Sequence, residues 1–279
     1  MFRRLLVVVA LGIFVSAEPA VTRPATALSA EPLWSVGGPE GANVTVLAAD
    51  PQHPATIYAG TLDGGIWKTT DGAAHWTAAF SGLPTFSGGF LAINAIAVDP
   101  TVSSRVYAAT NRGLFKSDDG AKTWTESGAG VLEGRFLNAI AIASSSSSTV
   151  FVGASSGVYR TTDAGVNWSL SNSGLVDSGG HTPSVLSIAI DPRDNRGIIA
   201  GTHDATFASV DGGASWAKFG GTALDGLDVT NVAFDPTNAN TAYALSLETG
   251  MYRLVPPPTS SVAGIGIANP GWFKALWEK

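Results

Sequence analysis

A single unit of roughly 45 residues is written five times along this chain. Its most regular member is an aromatic residue in the third of several short apolar runs, found at Trp67, Phe115, Tyr159, Phe207 and Tyr252. Four of the five copies also carry an Asp-Pro pair at a similar place ahead of that aromatic residue. Repetition at this period restricts the chain to folds built by arranging one supersecondary unit several times.

The runs within each unit indicate strands. They are four to six residues long, apolar or alternating, and separated by Gly, Asp-Pro or Asp-Gly turns. About four strands per unit is the size of one blade of a β-propeller. The 33 glycines and the low charged fraction of 14% fit a turn-rich β protein better than a helical one. The sequence predicts an all-β propeller of five four-stranded blades over residues 33–254.

The two ends of the chain have a different composition. Residues 1–4 are cationic and Leu5–Val15 is an unbroken apolar run, which predicts a signal peptide over residues 1–17 with cleavage near Ala17. Residues 18–32 are predicted to be a flexible leader, and residues 255–279 a C-terminal tail. We therefore expect a secreted or periplasmic protein without a membrane span after cleavage.

Ring closure can be predicted by comparing the two ends. The fifth repeat has three strands up to Leu254 but lacks the tryptophan that ends the other repeats. The segment that begins at Trp34 resembles the missing fourth strand, so we expect it to close the fifth blade, which would remove two sheet edges. Because Val262–Pro270 resembles the first strand of another repeat, a truncated six- or seven-bladed propeller is the alternative.

A sharper motif joins the third and fourth strands of four repeats. It reads Ser/Thr-x-Asp-[Gly/Ala]-x-x-x-Trp, with Asp and Trp at Asp71 and Trp76, Asp119 and Trp124, Asp163 and Trp168, and Asp211 and Trp216. An Asp side chain can accept backbone N–H bonds within its own turn. Since a catalytic group is needed once and these residues recur in four of the repeats, we interpret them as structural.

This motif resembles the Asp-box, or BNR, repeat of the sialidase-like superfamily. The repeats are most similar to those of sortilin-type receptors, photosystem II assembly factors and xyloglucan-active hydrolases. The resemblance to sialidases is weaker, because the chain lacks their Arg-Ile-Pro motif and all five tyrosines lie in repeated strand positions. The resemblance implies a propeller, and it leaves open both a binding protein and a glycoside hydrolase.

In a propeller, the loops between second and third strands share one face with the connections between blades. Such variable loops on a rigid scaffold are where recognition is usually built. The candidate binding residues in these loops are Asp63, Arg112, Glu133, Arg135, Asp177, His181, His203, Asp204, Asp225, Asp228 and Glu248.

The predicted function is that of an exported, non-catalytic scaffold that binds a protein or a glycan. The alternative is a glycoside hydrolase acting on a polysaccharide, xyloglucanase-like or, in second place, a sialidase. We expect no cofactor, and no metal because the four histidines lack ligand spacing. A net charge of −6 argues against a nucleic acid as partner.

Overall fold

The computed structural model describes residues 8–9 and 37–254, except for residues 64, 87–88 and 239–240. Strands are the only regular secondary structure in these residues, and no helix occurs among them. This confirms the predicted all-β class. The predicted leader, the C-terminal tail, Trp34 and the Val262–Pro270 segment lie outside the described residues.

The strands form five successive sheets, numbered here in chain order. The first sheet is formed by β1 (Val8–Val9), β2 (Val44–Ala49), β3 (Ile57–Thr61), β4 (Ile66–Thr69) and β5 (Thr77–Ala78). A small hairpin follows, formed by β6 (Thr85–Phe86) and β7 (Gly89–Phe90). The second sheet is formed by β8 (Ile93–Val98), β9 (Val106–Thr110), β10 (Gly113–Ser117) and β11 (Thr125–Ser127).

The remaining sheets repeat this order. The third is formed by β12 (Leu137–Ile142), β13 (Val150–Ala154), β14 (Gly157–Thr161) and β15 (Ser169–Leu170). The fourth is formed by β16 (Val185–Ile190), β17 (Ile198–Thr202), β18 (Thr206–Ser209) and β19 (Ala217–Phe219). The fifth is formed, within the described residues, by β20 (Val229–Phe234), β21 (Ala242–Ser246) and β22 (Gly250–Leu254).

Neighbouring sheets pack face to face in chain order. The inner strands β2, β8, β12, β16 and β20 contact one another in that sequence, and four hydrophobic cores lie at the junctions. Within every sheet, consecutive strands after β1 pair antiparallel. Each repeat of the sequence is thus one sheet, and the second, third and fourth sheets each pack against a neighbour on both faces.

The first sheet carries one additional strand. Val8 and Val9 pair in parallel with Val46 and Leu47 of β2. These two residues belong to the predicted signal peptide. Because that prediction concerns processing of the chain, it stays a prediction.

A small residue near the end of the second strand lets successive sheets approach each other. This position holds Gly60, Ala109, Gly153 and Gly201 in the first four sheets. A Cβ atom added to Gly60 would lie 2.5 Å from Cγ2 of Ile93, the first residue of the next inner strand. In the fifth sheet the position holds Leu245, which is exposed.

A β-bulge at the second residue of every inner strand provides a further link between sheets. In the first three sheets, the bulged residue donates a side-chain hydrogen bond to the first backbone carbonyl of the next inner strand. The pairs are Thr45 to Ile93 at 2.7 Å, Asn94 to Leu137 at 2.8 Å and Asn138 to Val185 at 2.9 Å. In the sequence, these linking residues are recognisable as a polar residue that follows directly after the first apolar residue of the strand.

We expect Gly60→Leu to lower the free energy of unfolding by about 1 to 3 kcal/mol or more, because the side chain would overlap Ile93. Urea unfolding followed by tryptophan fluorescence measures this. Leu245→Ala, at the matching position of the fifth sheet, is the control and should cost less, since Leu245 is partly exposed. Equal losses for the two variants would contradict this account of sheet packing.

Candidate functional site

The connections divide the molecule into two faces. The turn face carries the links between first and second strands and between third and fourth strands. These two turns are joined in each of the first four sheets by a backbone hydrogen bond, such as Gly120 N–H to Ser104 O at 2.8 Å. The loop face carries the links between second and third strands and the connections from one sheet to the next.

The Asp motif on the turn face forms a self-contained hydrogen-bonded turn. In the second sheet, the Ser117 hydroxyl donates to Asp119 Oδ1 at 2.7 Å and accepts from the Ala121 N–H at 2.8 Å. The Thr123 N–H donates to Asp119 Oδ1 at 2.9 Å, and the Thr123 hydroxyl donates to Oδ2 at 2.6 Å. Both carboxylate oxygens of Asp119 are therefore engaged within residues 117–123.

The other three aspartates repeat this pattern. In the turns of Asp71, Asp163 and Asp211, Oδ1 accepts hydrogen bonds from the Ser or Thr hydroxyl two residues before the aspartate and from the backbone N–H four residues after it. Oδ2 contacts the side chain of the residue four positions after the aspartate. The residue two positions after Asp119, Ala121, has φ of 66°. This left-handed backbone lets the turn fold back onto the carboxylate.

Hydrogen bonding stabilises the charged form of these carboxylates. The backbone N–H of Asn167, the Thr161 hydroxyl and the Asn167 side chain together lower the pKa of Asp163 to about 2. The Thr123 hydroxyl and N–H, together with the Ser117 hydroxyl, hold the pKa of Asp119 well below its usual range. The charge of each carboxylate thus serves to close its own turn.

In the second, third and fourth sheets, the tryptophan of the motif reaches the preceding sheet. The Trp124 indole N–H donates to Ala79 O at 2.8 Å, and the Trp216 indole N–H donates to Ser171 O at 2.7 Å. Trp168 donates in the same way to the Ser127 hydroxyl at 3.1 Å. Trp124, Trp168 and Trp216 are buried. The motif therefore fixes its own turn and also connects one sheet to the one before it.

We expect Asp163→Asn to lower the melting temperature at pH 7, because an amide nitrogen cannot accept the Asn167 side-chain hydrogen bond. The folded-state pKa of Asp163 is lowered, so its stabilising effect is complete above the ordinary value of 3.8 and declines as the pH falls towards about 2. Thermal unfolding across this range should show the variant and the parent converging at low pH. Asp63→Asn, in an exposed loop, is the control, and a constant difference at all pH values would contradict the prediction.

On the loop face, three loops converge beside the fourth sheet. His203 Nδ1 lies 2.5 Å from Asp228 Oδ1, which joins the β17–β18 loop to the β19–β20 connection. The Ser178 N–H and hydroxyl donate to the Asp204 carboxylate at 3.3 Å, which joins that loop to the β15–β16 connection. The Gly226 N–H donates to Asp204 O at 2.6 Å. We call these three segments (176–182, 203–204 and 225–228) the acidic loop cluster.

Further charged groups lie in or beside the acidic loop cluster. Asp177 Oδ1 accepts the N–H groups of Gly179 and His181, and the His181 ring lies 3.8 Å away. Lys218 Nζ pairs with Asp225 Oδ1 at 2.9 Å. The β17–β18 loop thus contacts the other two segments, and the three together hold the predicted candidates Asp177, His181, His203, Asp204, Asp225 and Asp228.

Other candidates lie elsewhere on the loop face. The Arg135 guanidinium lies 5.2 Å from the ring centre of Tyr159, and the Gly134 N–H donates to Arg112 O at 3.1 Å. Glu133 belongs to the same connection between the second and third sheets. Asp63 and Glu248 lie in the β3–β4 and β21–β22 loops, and no side-chain hydrogen bond joins either to the acidic loop cluster within the described residues.

One cavity was not predicted. It has a volume of about 450 Å³, opens between the second and third sheets, and is lined by charged and polar side chains that include Lys116, Asp118, Glu126 and Asn167. Lys116 and Arg105 both pair with Asp118, at 2.9 and 3.2 Å. These residues occupy repeated strand and turn positions, which lie outside the variable loops that hold the predicted candidates.

The described part of the chain has neither a metal-binding cluster nor a membrane-spanning helix. It holds no group of three or more His, Asp or Glu side chains arranged to bind a metal ion. It also contains no helix that is long and apolar enough to cross a membrane.

Comparison with known proteins identifies the fold. No known protein-family model matches the sequence, and no curated protein matches it either. The structure is similar to a GH74 enzyme from Niastella koreensis, at 24% identity and a TM-score of 0.61, over 74% of this chain and 35% of that one. For the GH74 xyloglucanase from Xanthomonas campestris, the identity is 20%, the TM-score 0.61 and the coverage 74% and 36%.

Two similar structures are not GH74 enzymes. YCF48 bound to D1 peptide matches at 14% identity and a TM-score of 0.55, over 77% of this chain and 65% of that one. The extracellular domain of BT4673 from B. thetaiotaomicron matches at 14% identity and a TM-score of 0.57, over 76% and 27%. The chain thus spans about a third of the GH74 enzymes and 65% of YCF48. Similarity at these identities concerns the fold, and it confirms the predicted β-propeller.

Proposed function

We propose that this protein is an exported, non-catalytic scaffold that binds a partner through its loop face. The observation that carries this proposal is the acidic loop cluster, where side chains from three separate connections meet on one surface. Several of these side chains, including His181 and His203, are exposed. A surface assembled from loops on a rigid scaffold is suited to recognition.

The charge of the acidic loop cluster suggests the chemistry of the partner. Asp177, Asp204, Asp225 and Asp228 supply four carboxylates, and Lys218 beside them pairs with one. Opposite charge attracts a partner to such a surface and sets its orientation. A polypeptide segment with Lys or Arg side chains is the partner we favour, and a glycan is the second class.

Two similar proteins lend support to this assignment. YCF48 was solved with a bound peptide, and the matching part of BT4673 is an extracellular domain. The first agrees with a propeller that binds polypeptide. The second agrees with export, for which the apolar run Leu5–Val15 is the sequence argument.

The double variant Asp204→Asn/Asp228→Asn should weaken binding of Lys- and Arg-rich peptides about tenfold, since an exposed ion pair contributes up to about 1 kcal/mol. Fluorescence anisotropy with an array of basic, neutral and acidic peptides measures this, at low and high salt. Asp194→Asn is the matched control, because Asp194 is an exposed, ion-paired carboxylate on the turn face. Binding that is indifferent to salt and to the double variant would overturn the proposal, and binding of polysaccharides alone would favour a glycan partner.

A second candidate function is glycoside hydrolysis. Asp204 directly follows His203 in the chain, and Asp228 contacts the His203 ring, so two acidic residues belong to these adjoining loops. Glycosidases use a pair of carboxyl groups that flank the scissile bond. The fold similarity to GH74 enzymes supports including polysaccharides among the substrates tested.

We expect no release of reducing sugar from xyloglucan or other polysaccharides by the purified protein. Reducing-end assays on a polysaccharide panel measure this, with a commercial xyloglucanase as positive control. Hydrolysis that is lost in both Asp204→Asn and Asp228→Asn, but kept in Asp194→Asn, would replace the scaffold proposal with the enzymatic one.

A further inference from the structure

A large aromatic side chain is exposed on the loop face, in the connection between the second and third sheets. Phe136, which directly precedes β12, is 48% exposed. Single exposed apolar residues are common on protein surfaces. The meaning of this one therefore depends on whether the fold itself requires a large apolar side chain there.

Comparison of the repeats shows that the fold does not require one. The residues directly before the first strands of the other four sheets are small or polar, namely Asn43, Ala92, Ser184 and Asp228. In the first four sheets, the carbonyl of this residue accepts the N–H of the residue that follows the second strand, as Phe136 O accepts from Ser155 at 3.0 Å. That contact uses backbone atoms alone, so any side chain would permit it.

The backbone on either side of Phe136 is held in place. Leu137, the first residue of β12, is fully buried. The Arg135 guanidinium lies 5.2 Å from the ring centre of Tyr159, and its Nη1 donates to the Ser156 hydroxyl at 3.3 Å. A rigidly held aromatic side chain loses little conformational entropy when a partner covers it, which is why such residues often dominate binding energy.

Phe136 belongs to a row of residues along the inner edge of the loop face. The row is formed by the residues directly before the neighbouring inner strands β12, β16 and β20, which are Phe136, Ser184 and Asp228. Hydrogen bonds join the starts of these strands. The Asn138 side chain donates to Val185 O at 2.9 Å, and the Ser187 hydroxyl donates to Val229 O at 3.4 Å.

The acidic loop cluster occupies the other end of this row. The His203 N–H donates to Ser184 O at 3.3 Å, and the His203 ring contacts Asp228. Val176, at the start of the segment 176–182, is a second exposed apolar residue, with 51% of its surface accessible. Exposed apolar side chains and carboxylates therefore alternate along one edge of the loop face.

We propose that the partner polypeptide carries an apolar side chain close to its Lys or Arg residues, and that Phe136 binds this apolar side chain. This inference rests on the proposed function and specifies its partner further. The acidic loop cluster attracts and orients the basic side chains by opposite charge. Because exposed ion pairs contribute little affinity, burial of apolar surface against Phe136 supplies the larger share.

Two peptides of equal length and charge test the proposal. Both are rich in Lys, and at one position the first carries Leu where the second carries Ser. A series places this position one to four residues from the nearest Lys. In fluorescence anisotropy, the unchanged protein should bind the Leu peptide about fivefold more tightly at the best spacing, since Phe136 is half exposed and gains about half of what full burial gives.

Phe136→Ala should remove this preference and leave the affinity for the Ser peptide unchanged. Its melting temperature should equal that of the parent, because the equivalent position of the second sheet holds Ala92. The double variant Asp204→Asn/Asp228→Asn should weaken both peptides by the same factor. Leu170→Ala is the matched control and should keep the preference, since Leu170 is 59% exposed on the outer strand of the same sheet.

The outcomes separate this inference from the proposed function. If the parent binds both Lys-rich peptides equally, or if the preference survives in Phe136→Ala, the inference is wrong and the proposed function stands. An equal loss of preference in Leu170→Ala would also overturn it, because the apolar contact would then not be specific to the loop face. If the parent binds neither peptide at any spacing, the proposed function fails and this inference fails with it.

Discussion

Successive sheets pack so closely that one position of the second strand in the first, third and fourth sheets has almost no room for a side chain. At Gly60, Gly153 and Gly201, an added Cβ would meet the next inner strand within 2.8 Å. A single small sheet cannot bury its apolar faces alone, so its stability depends on its neighbours. The bulge side chains and the indole N–H bonds act across these same junctions. The rest of the structure depends on this repeated contact between sheets.

The motifs that close turns and connect one sheet to the one before it lie on the turn face, and the residues proposed for recognition lie on the loop face. On the turn face, both carboxylate oxygens of each motif aspartate, such as Asp119, accept hydrogen bonds within the same turn. The motif tryptophans, such as Trp124, donate hydrogen bonds to the preceding sheet. Substitutions in these motifs would therefore loosen a turn or a junction. The charged residues of the loop face differ from one sheet to the next. Function is therefore best sought in loops such as those of His203, Asp204 and Asp228.

The same scaffold accommodates different activities. GH74 enzymes and the peptide-bound YCF48 share its architecture at low sequence identity. A fold shared in this way carries no chemistry of its own, because activity resides in the groups that the loops present. For this chain, the proposed function rests on the carboxylates of the acidic loop cluster. The chemistry of these groups, rather than the fold, distinguishes a binding surface from a hydrolytic one.

The sequence by itself determined the all-β class, the five sheets and the position of the turns, because these follow from local periodicity and from hydrogen bonds within a few residues of Asp119 or Asp163. It also placed the candidate residues on one face. Consecutive strands run in opposite directions, so alternate loops lie at the same end of the sheets. Only the tertiary structure decided that Trp124 bonds to the preceding sheet and that Asn94 bonds to the next one. It alone joined His203 to Asp228 and left Asp63 and Glu248 apart from them. Those contacts depend on the distance between whole sheets, which small residues such as Gly60 allow to be short. A local sequence pattern does not encode the distance between two sheets.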